Sequence, residues 1–355
     1  MRNRSAMCLL LLLSACHPEP KQTGEMLSGD EAQKTAQAIE QAKEAVNAVR
    51  TEYVGRDAHA KAHGCAKAVF TVNTAVAPEL RAGLFATPGQ SFKGWIRFSN
   101  GSHNYAQADT AKDSRGIAIK LMDVPGERLF ADPVEPHSLD LLLIDTPAFL
   151  ARDAASYIEA RGSKKISDYF FNRTFNPLHW RWRELNLMRK GFKAPPENPL
   201  SADYFGVLAY QLGTRSMKFS AQACEVNIEA KKTLPDDPDF LGKALAASLR
   251  SRSACFDFQI QFQNPAARQH VEDATEMWRE ADSPWISVAR IELPVQEVMA
   301  GSDAYCENLS FNPWRTLPDQ RPLGELNRMR KDLYRGISAY RHSENHAEQA
   351  APRAW

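Results

Sequence analysis

The sequence predicts an α+β protein built on a barrel or a strongly bent antiparallel sheet. Short apolar runs rich in β-branched and aromatic residues recur from 68 to 144 and again from 206 to 293. Turn formers such as Pro88-Gly89, Asn100-Gly101 and Pro125-Gly126 separate them. Helical patterns lie between these runs and close the chain. The bulk composition, 43% hydrophobic and 25% charged, is that of a folded globular protein. With 44 Lys+Arg against 43 Asp+Glu, the chain is neither a basic nucleic-acid binder nor an acidic tail protein.

The chain opens with two arginines, Arg2 and Arg4, then an apolar run from Ala6 to Leu13 and Leu13-Ser14-Ala15-Cys16. The run is too short to cross a bilayer and reads as a secretory signal. Leu-Ser-Ala-Cys resembles the lipobox of bacterial lipoproteins. That resemblance implies a signal peptide over 1–15, a lipid on Cys16 and a chain anchored in the membrane rather than spanning it. His17 follows where the inner-membrane retention signal has Asp, so the expected location is the periplasmic face of the outer membrane. The mature chain is nearly neutral, so its overall charge predicts no attraction to anionic lipid.

Residues 16–50 read as a polar tether and an N-terminal helix. Ala38, Ile39, Ala42, Val46 and Val49 fall at helical spacing within 31–53, and Asp30 is a candidate N-cap. Predicted strands cover 68–72, 95–98, 116–121, 139–144, 206–212, 256–262 and 285–293. Predicted helices cover 154–161, 239–250, 265–281 and 323–342. The stretch 177–199, with His179-Trp180-Arg181-Trp182-Arg183, reads as a packed connector. The tail 346–355 is expected to fray. Once Cys8 and Cys16 are set aside, Cys65, Cys224, Cys255 and Cys306 remain; an exported chain could pair them in three ways.

Three distant segments carry candidate chemistry. Arg56-Asp57-Ala58-His59-Ala60-Lys61-Ala62-His63-Gly64 precedes a strand. On a helix, His59 and His63 would share a face as zinc ligands, but no acid lies between them. Trp95-Ile96-Arg97-Phe98-Ser99 places an arginine on a strand, followed by Asp109-Thr110 and Arg115-Gly116. On the last helix, Arg330 and Tyr334 are four apart, so a guanidinium meets a phenol. That pairing favours phenolate, a ligand suited to ferric iron and known for haem.

Taken in order, these segments resemble the haem catalases, and most closely the short bacterial catalase-like proteins. Arg56-x-x-His59-Ala60-Lys61 resembles the distal histidine segment, and Arg97-Phe98-Ser99 the following strand. Thr146-Pro147-Ala148-Phe149 with Arg152-Asp153 resembles the Asn-Asn-Thr-Pro…Arg-Asp stretch. Arg330 to Tyr334 resembles the proximal motif, with Arg341 at the family's further arginine. Asn312-Pro313-Trp314 and 320–324 are similar to the short group.

The resemblance implies a catalase-like antiparallel β-barrel with surrounding and C-terminal helices, spanning 51–345. It implies haem b with Tyr334 as iron ligand and His59 as acid–base group, its ring fixed by Ser99. It also implies that Arg56, Arg97 and Arg341 hold the propionates, and that Phe149 and Tyr157 pack near the porphyrin. The expected substrate is hydrogen peroxide or an organic hydroperoxide, with no nucleic-acid partner and no NADPH, and with oligomeric state left open. Ile144 stands where the family has the distal Asn, so peroxidase-type turnover is expected over dismutation. The alternatives are a haem-binding lipoprotein with little turnover and an enzyme that rearranges fatty-acid hydroperoxides.

Overall fold

The computed structural model describes residues 24–227 and 236–355. The signal peptide and Cys16 lie outside the described residues.

Eight strands close a barrel, each antiparallel to its neighbours and ordered as in the chain. They are β1 (Ala62–Val72), β2 (Ser91–Asn100), β3 (Arg115–Leu121), β4 (Leu139–Ile144), β5 (Tyr204–Leu212), β6 (Arg215–Ala223), β7 (Ala254–Phe262) and β8 (Trp285–Leu293). β8 returns to β1 through Val69–Val72, and a two-residue strand, β9 (Met299–Ala300), pairs with Gly64 and Cys65. The helices are α1 (Glu31–Ala48), α2 (Ala154–Gly162), α3 (Ile166–Phe171), α4 (Trp182–Gly191), α5 (Phe240–Ser251), α6 (Ala304–Asn308) and α7 (Glu325–Glu344). Three of them, α2 to α4, fill the crossover between β4 and β5.

Strand alternation decides which side chains fill the barrel. Ile96 and Phe98 of β2, Ile117 and Ile119 of β3 and Leu141 and Leu143 of β4 join its apolar core, along with Phe70, Phe219, Phe256 and Phe258. Their neighbours Arg97, Ser99, Gly116 and Ile144 therefore face outward. Helices cover that outer face: α1 and α2 pack with α7 around Ala38, Ala42, Ile158, Met329, Leu333 and Ile337.

Several sequence expectations are corrected. Residues 265–281 form turns instead of a helix. Side chains there bond the local backbone: Asn264 Oδ1 accepts from the Ala266 amide and Asp273 Oδ1 from the Thr275 amide. His270 and Glu276 close another loop at 2.9 Å. Such bonds compete with helical ones. The first helix ends at Ala48 rather than Tyr53, and the Asp30 side chain makes no capping bond. Instead Asp30 pairs with Lys34 at 2.9 Å. The tail does not fray, because Trp355 Nε1 donates to the Gly94 carbonyl at 3.2 Å and its ring lies 4.9 Å from Lys93 Nζ. His63 sits in β1, not on a helix with His59, so the two cannot share a helical face. Its Nε2 contacts Asn100 Oδ1 at 3.0 Å, and among the described residues no cluster of three metal-ligating side chains occurs. Of the three cysteine pairings, the fold holds Cys65–Cys306 and Cys224–Cys255.

Candidate active site

His59 lies in the turn before β1 with a φ of 57°, a left-handed conformation uncommon outside glycine. The surrounding backbone enforces it. His59 N donates to Gly101 O at 3.1 Å and Ala60 N to Ser102 O at 3.0 Å. Arg97 locks the same turn, donating to the carbonyls of His59 (2.8 Å) and Ala60 (3.0 Å). Asp113 supports the opposing turn by accepting from the amides of Gly101 and Ser102, both at 2.9 Å. The Asp109 to Arg115 stretch thus builds the frame that fixes His59.

The imidazole is fixed as well. Its Nδ1 lies 3.1 Å from Ser99 Oγ, which leaves Nε2 outside that contact. The ring rests on Gly116: a β-carbon added there would stand 2.4 Å from His59 Cε1. Burial pushes the His59 pKa down to about 4, and the Arg97 and Arg330 charges act the same way against the opposing pull of Asp113. The ring is therefore neutral at ordinary pH and able to accept a proton. Ser99 pairs with Gly116, and Gly116 with Ile144, across β2, β3 and β4. Ile144 thus shares the outer-face row on which the His59 ring sits, about 10 Å across from Ser99 at ordinary strand spacing.

On α7, Arg330 Nη2 donates to the Tyr334 hydroxyl at 3.3 Å and Arg330 Nη1 to Asn327 Oδ1 at 2.9 Å. Asn327 is itself anchored to Ala209 O at 2.8 Å. Although burial opposes it, the facing Tyr334 and Tyr210 rings push the Arg330 pKa up, so this guanidinium stays charged. Phe149 and Tyr157 stack with centroids 6.1 Å apart and pack on the cluster that holds Met329 and Leu333 of α7. Arg161 Nη1 donates to the Tyr157 hydroxyl at 3.2 Å and pairs with Asp57 at 2.5 Å, linking α2 to the His59 turn.

Arg56, Arg97 and Arg341 converge as expected, but on a residue the sequence reading missed. Glu307 of α6 lies 3.6 Å from Arg56 Nε, 3.6 Å from Arg97 Nη2 and 3.5 Å from Arg341 Nη1. Tyr53 adds a hydrogen bond to Glu307 at 3.2 Å. The Cys65–Cys306 disulfide ties α6 to β1 directly opposite Arg97. Burial alone would raise the Glu307 carboxyl, but the three guanidinium groups hold it below its usual range. Arg56 is pushed well below its ordinary value by burial and then by Arg97 and Arg341. Three cations facing one carboxylate leave two positive charges in a dry site. Arg56 Nε and Arg97 Nε also lack hydrogen-bond partners. The cluster therefore fits a ligand with two carboxylates, as a haem with two propionates has.

Glu307 gives a stability prediction. Glu307→Gln should leave three buried guanidinium groups uncompensated and lower the stability of the haem-free protein by about 3 kcal/mol or more. Haem should then restore more stability to the variant than to the wild type, as read by melting each protein with and without haem. Equal melting temperatures without haem would contradict the cluster's charge balance.

Comparison with known proteins agrees with this barrel. The Catalase family model matches residues 14–180. Over that stretch, just under half of its length, the chain is similar to the catalases. It is 25% identical over 281 residues to the catalase-related peroxidase of Mycolicibacterium paratuberculosis, covering 74% of this chain and 82% of that protein. It is also 25% identical over 287 residues to the catalase of Ascaris suum, covering 74% of this chain but only 50% of that one. The chain thus spans about half the length of the full catalases it matches. In structure it resembles a fungal catalase with a TM-score of 0.64 at 19% identity, over 87% of this chain and 64% of that one. It resembles catalase A of Saccharomyces cerevisiae with a TM-score of 0.65 at 20% identity, over 83% of this chain and 64% of that one. These likenesses give the catalase-like barrel and its helices.

Proposed function

We propose that this catalase-like chain is a haem-dependent oxidoreductase that reduces hydrogen peroxide or an organic hydroperoxide with an outside donor. The observation that carries the reading is the His59 ring, its Nδ1 held by Ser99 and its face resting on Gly116.

Haem b is the cofactor the site would take. Tyr334 would ligate its iron, Arg56, Arg97 and Arg341 would hold its propionates, and Phe149 and Tyr157 would pack on the macrocycle. When bound, haem supplies the redox chemistry that cleaves a peroxide O–O bond. The chain's own residues manage charge and protons. Arg330 holds the Tyr334 hydroxyl by a hydrogen bond and keeps a positive charge beside it. His59 accepts the proton of the bound peroxide at one ring nitrogen and returns it to the departing oxygen. Ser99, at the other nitrogen, fixes the tautomer. The Phe149–Tyr157 pair and the α7 cluster make the surrounding site apolar and exclude water.

Ile144 favours peroxidase over dismutation. It offers no hydrogen bond to a peroxide beside His59, which weakens a step that must place two peroxides in turn. Ile144→Asn should raise oxygen evolution from hydrogen peroxide by about tenfold, since one hydrogen bond is worth roughly 1–3 kcal/mol in such a site. The test compares oxygen evolution with oxidation of an aromatic donor by the wild type and the variant. A wild type that mainly evolves oxygen, unchanged by the substitution, would overturn the peroxidase assignment.

The lipoprotein resemblance of Leu13-Ser14-Ala15-Cys16 supports an envelope location with a lipid on Cys16. The pairs Cys65–Cys306 and Cys224–Cys255 support an oxidising compartment as well.

A further inference from the structure

The connector between α3 and α4 is only partly packed. With the first residue of α4 it carries three exposed apolar side chains within eight residues: Phe175 (101% exposed), Leu178 (88%) and Trp182 (52%). The loop is shaped to present them. Asn172 and Arg173 both turn through left-handed backbone. Behind the tip, Trp180 packs against Phe171 at 4.7 Å and Trp182 at 5.0 Å. The polar atoms of the indoles are satisfied within the loop. Trp180 Nε1 donates to Thr174 O and Trp182 Nε1 to Pro177 O, both at 2.9 Å. The tip can therefore leave water without stranding those donors.

Charge frames the tip. Residues 163–193 hold eight lysines and arginines against two acids, while the whole chain has 44 against 43. Lys164, Lys165, Arg173, Arg189 and Lys190 are exposed. A symmetric contact between two copies would bring these cations together. An anionic lipid surface complements them, and aromatic side chains flanked by basic ones suit a membrane interface.

The first described residues approach a segment that α4 also contacts. Gly24 approaches Val271, and the Met26 amide donates to Glu272 at 2.9 Å. Arg183, next to Trp182, pairs with Asp273 at 3.0 Å. Gly24 and Met26 on one side and Arg183, the residue after Trp182, on the other thus meet the same short segment, 271–273. Cys16 precedes Gly24 by eight residues, a reach of at most about 30 Å.

We propose that Phe175, Leu178 and Trp182 form a hook that inserts into the interface of an anionic lipid bilayer, with the surrounding cations on the headgroups. The hook is independent of the haem reading; only its partnership with a lipid on Cys16 rests on the lipoprotein reading.

The test uses the chain from His17 onward, which carries neither the apolar run of the signal nor the lipid site. It should sediment with vesicles of phosphatidylglycerol and phosphatidylethanolamine more than with phosphatidylcholine vesicles, and less as salt rises. Adding Phe175→Ser, Leu178→Ser and Trp182→Ser should weaken that binding at least about tenfold, with an unchanged circular dichroism spectrum. Equal vesicle binding by the two proteins would overturn the hook. So would a dimer present without vesicles and lost in the triple variant while vesicle binding stays the same, since the tip would then join two copies. Mass analysis of the natural chain's N-terminus tests the lipid on Cys16 separately, and its failure would leave the vesicle result standing.

Discussion

His59→Ala is expected to lower peroxide turnover per bound haem by two to four orders of magnitude, the usual contribution of a positioned acid–base group. Haem should still bind, because the arginine cluster and Tyr334 are untouched. The conservative control is Ser99→Ala, which keeps the ring but removes its partner at 3.1 Å and should cost less. The pH dependence follows from the His59 pKa, lowered to about 4. The ring must be neutral to accept a proton, so turnover should be level from neutral pH down to about 5 and fall below 4. Stability should respond over a wider range. His59 and His342 both titrate near 4 in the folded chain, against 6.5 as the ordinary value. Unfolded chains then bind more protons between those limits, and stability is lost as pH falls from about 6.5 through 4. A His59→Ala protein with wild-type turnover would remove His59 from the chemistry.

Tyr334→Phe is expected to have the second large effect, on the cofactor rather than on proton transfer. Removing a ligating oxygen should weaken haem binding at least about a hundredfold, since even outer groups that orient a ligand are worth ten to a hundredfold. The change is sterically mild, as only the hydroxyl that accepts from Arg330 at 3.3 Å is lost. The haem-free protein should therefore fold and melt much as the wild type does. That contrast separates loss of a ligand from loss of the fold.

Much of the barrel was legible because strands announce themselves by composition and punctuation. The runs 139–144 and 285–293 coincide with β4 and β8. Residues 265–281 misled because a stretch rich in Ala and Glu looks helical, while the Asn264, Asp273 and Glu276 side chains capture the backbone locally. The site residues read from motifs came together in three groups: His59 with Ser99, Arg330 with Tyr334, and Arg56 with Arg97 and Arg341. Glu307 was not legible. It sits on a helix of five residues with no periodicity to read, and its meeting with arginines 210 to 251 residues away along β2 and in the turn before β1 is set by barrel closure. The neighbouring Cys306 was the available signal, but spacing alone could not choose its partner. The exposure of Phe175 and Leu178 was hidden for a similar reason: aromatic and aliphatic residues in a connector read as packing until the loop's shape shows them facing water.

If this barrel holds haem through Tyr334, the visible absorption spectrum of the haem-loaded protein will show it. Wild type and Tyr334→Phe would be titrated with ferric haem side by side. The wild type should saturate at one haem per chain with a high-spin ferric spectrum and a phenolate charge-transfer band. That band should be absent in the variant. No saturable haem binding by the wild type, or the same spectrum from both proteins, would contradict it.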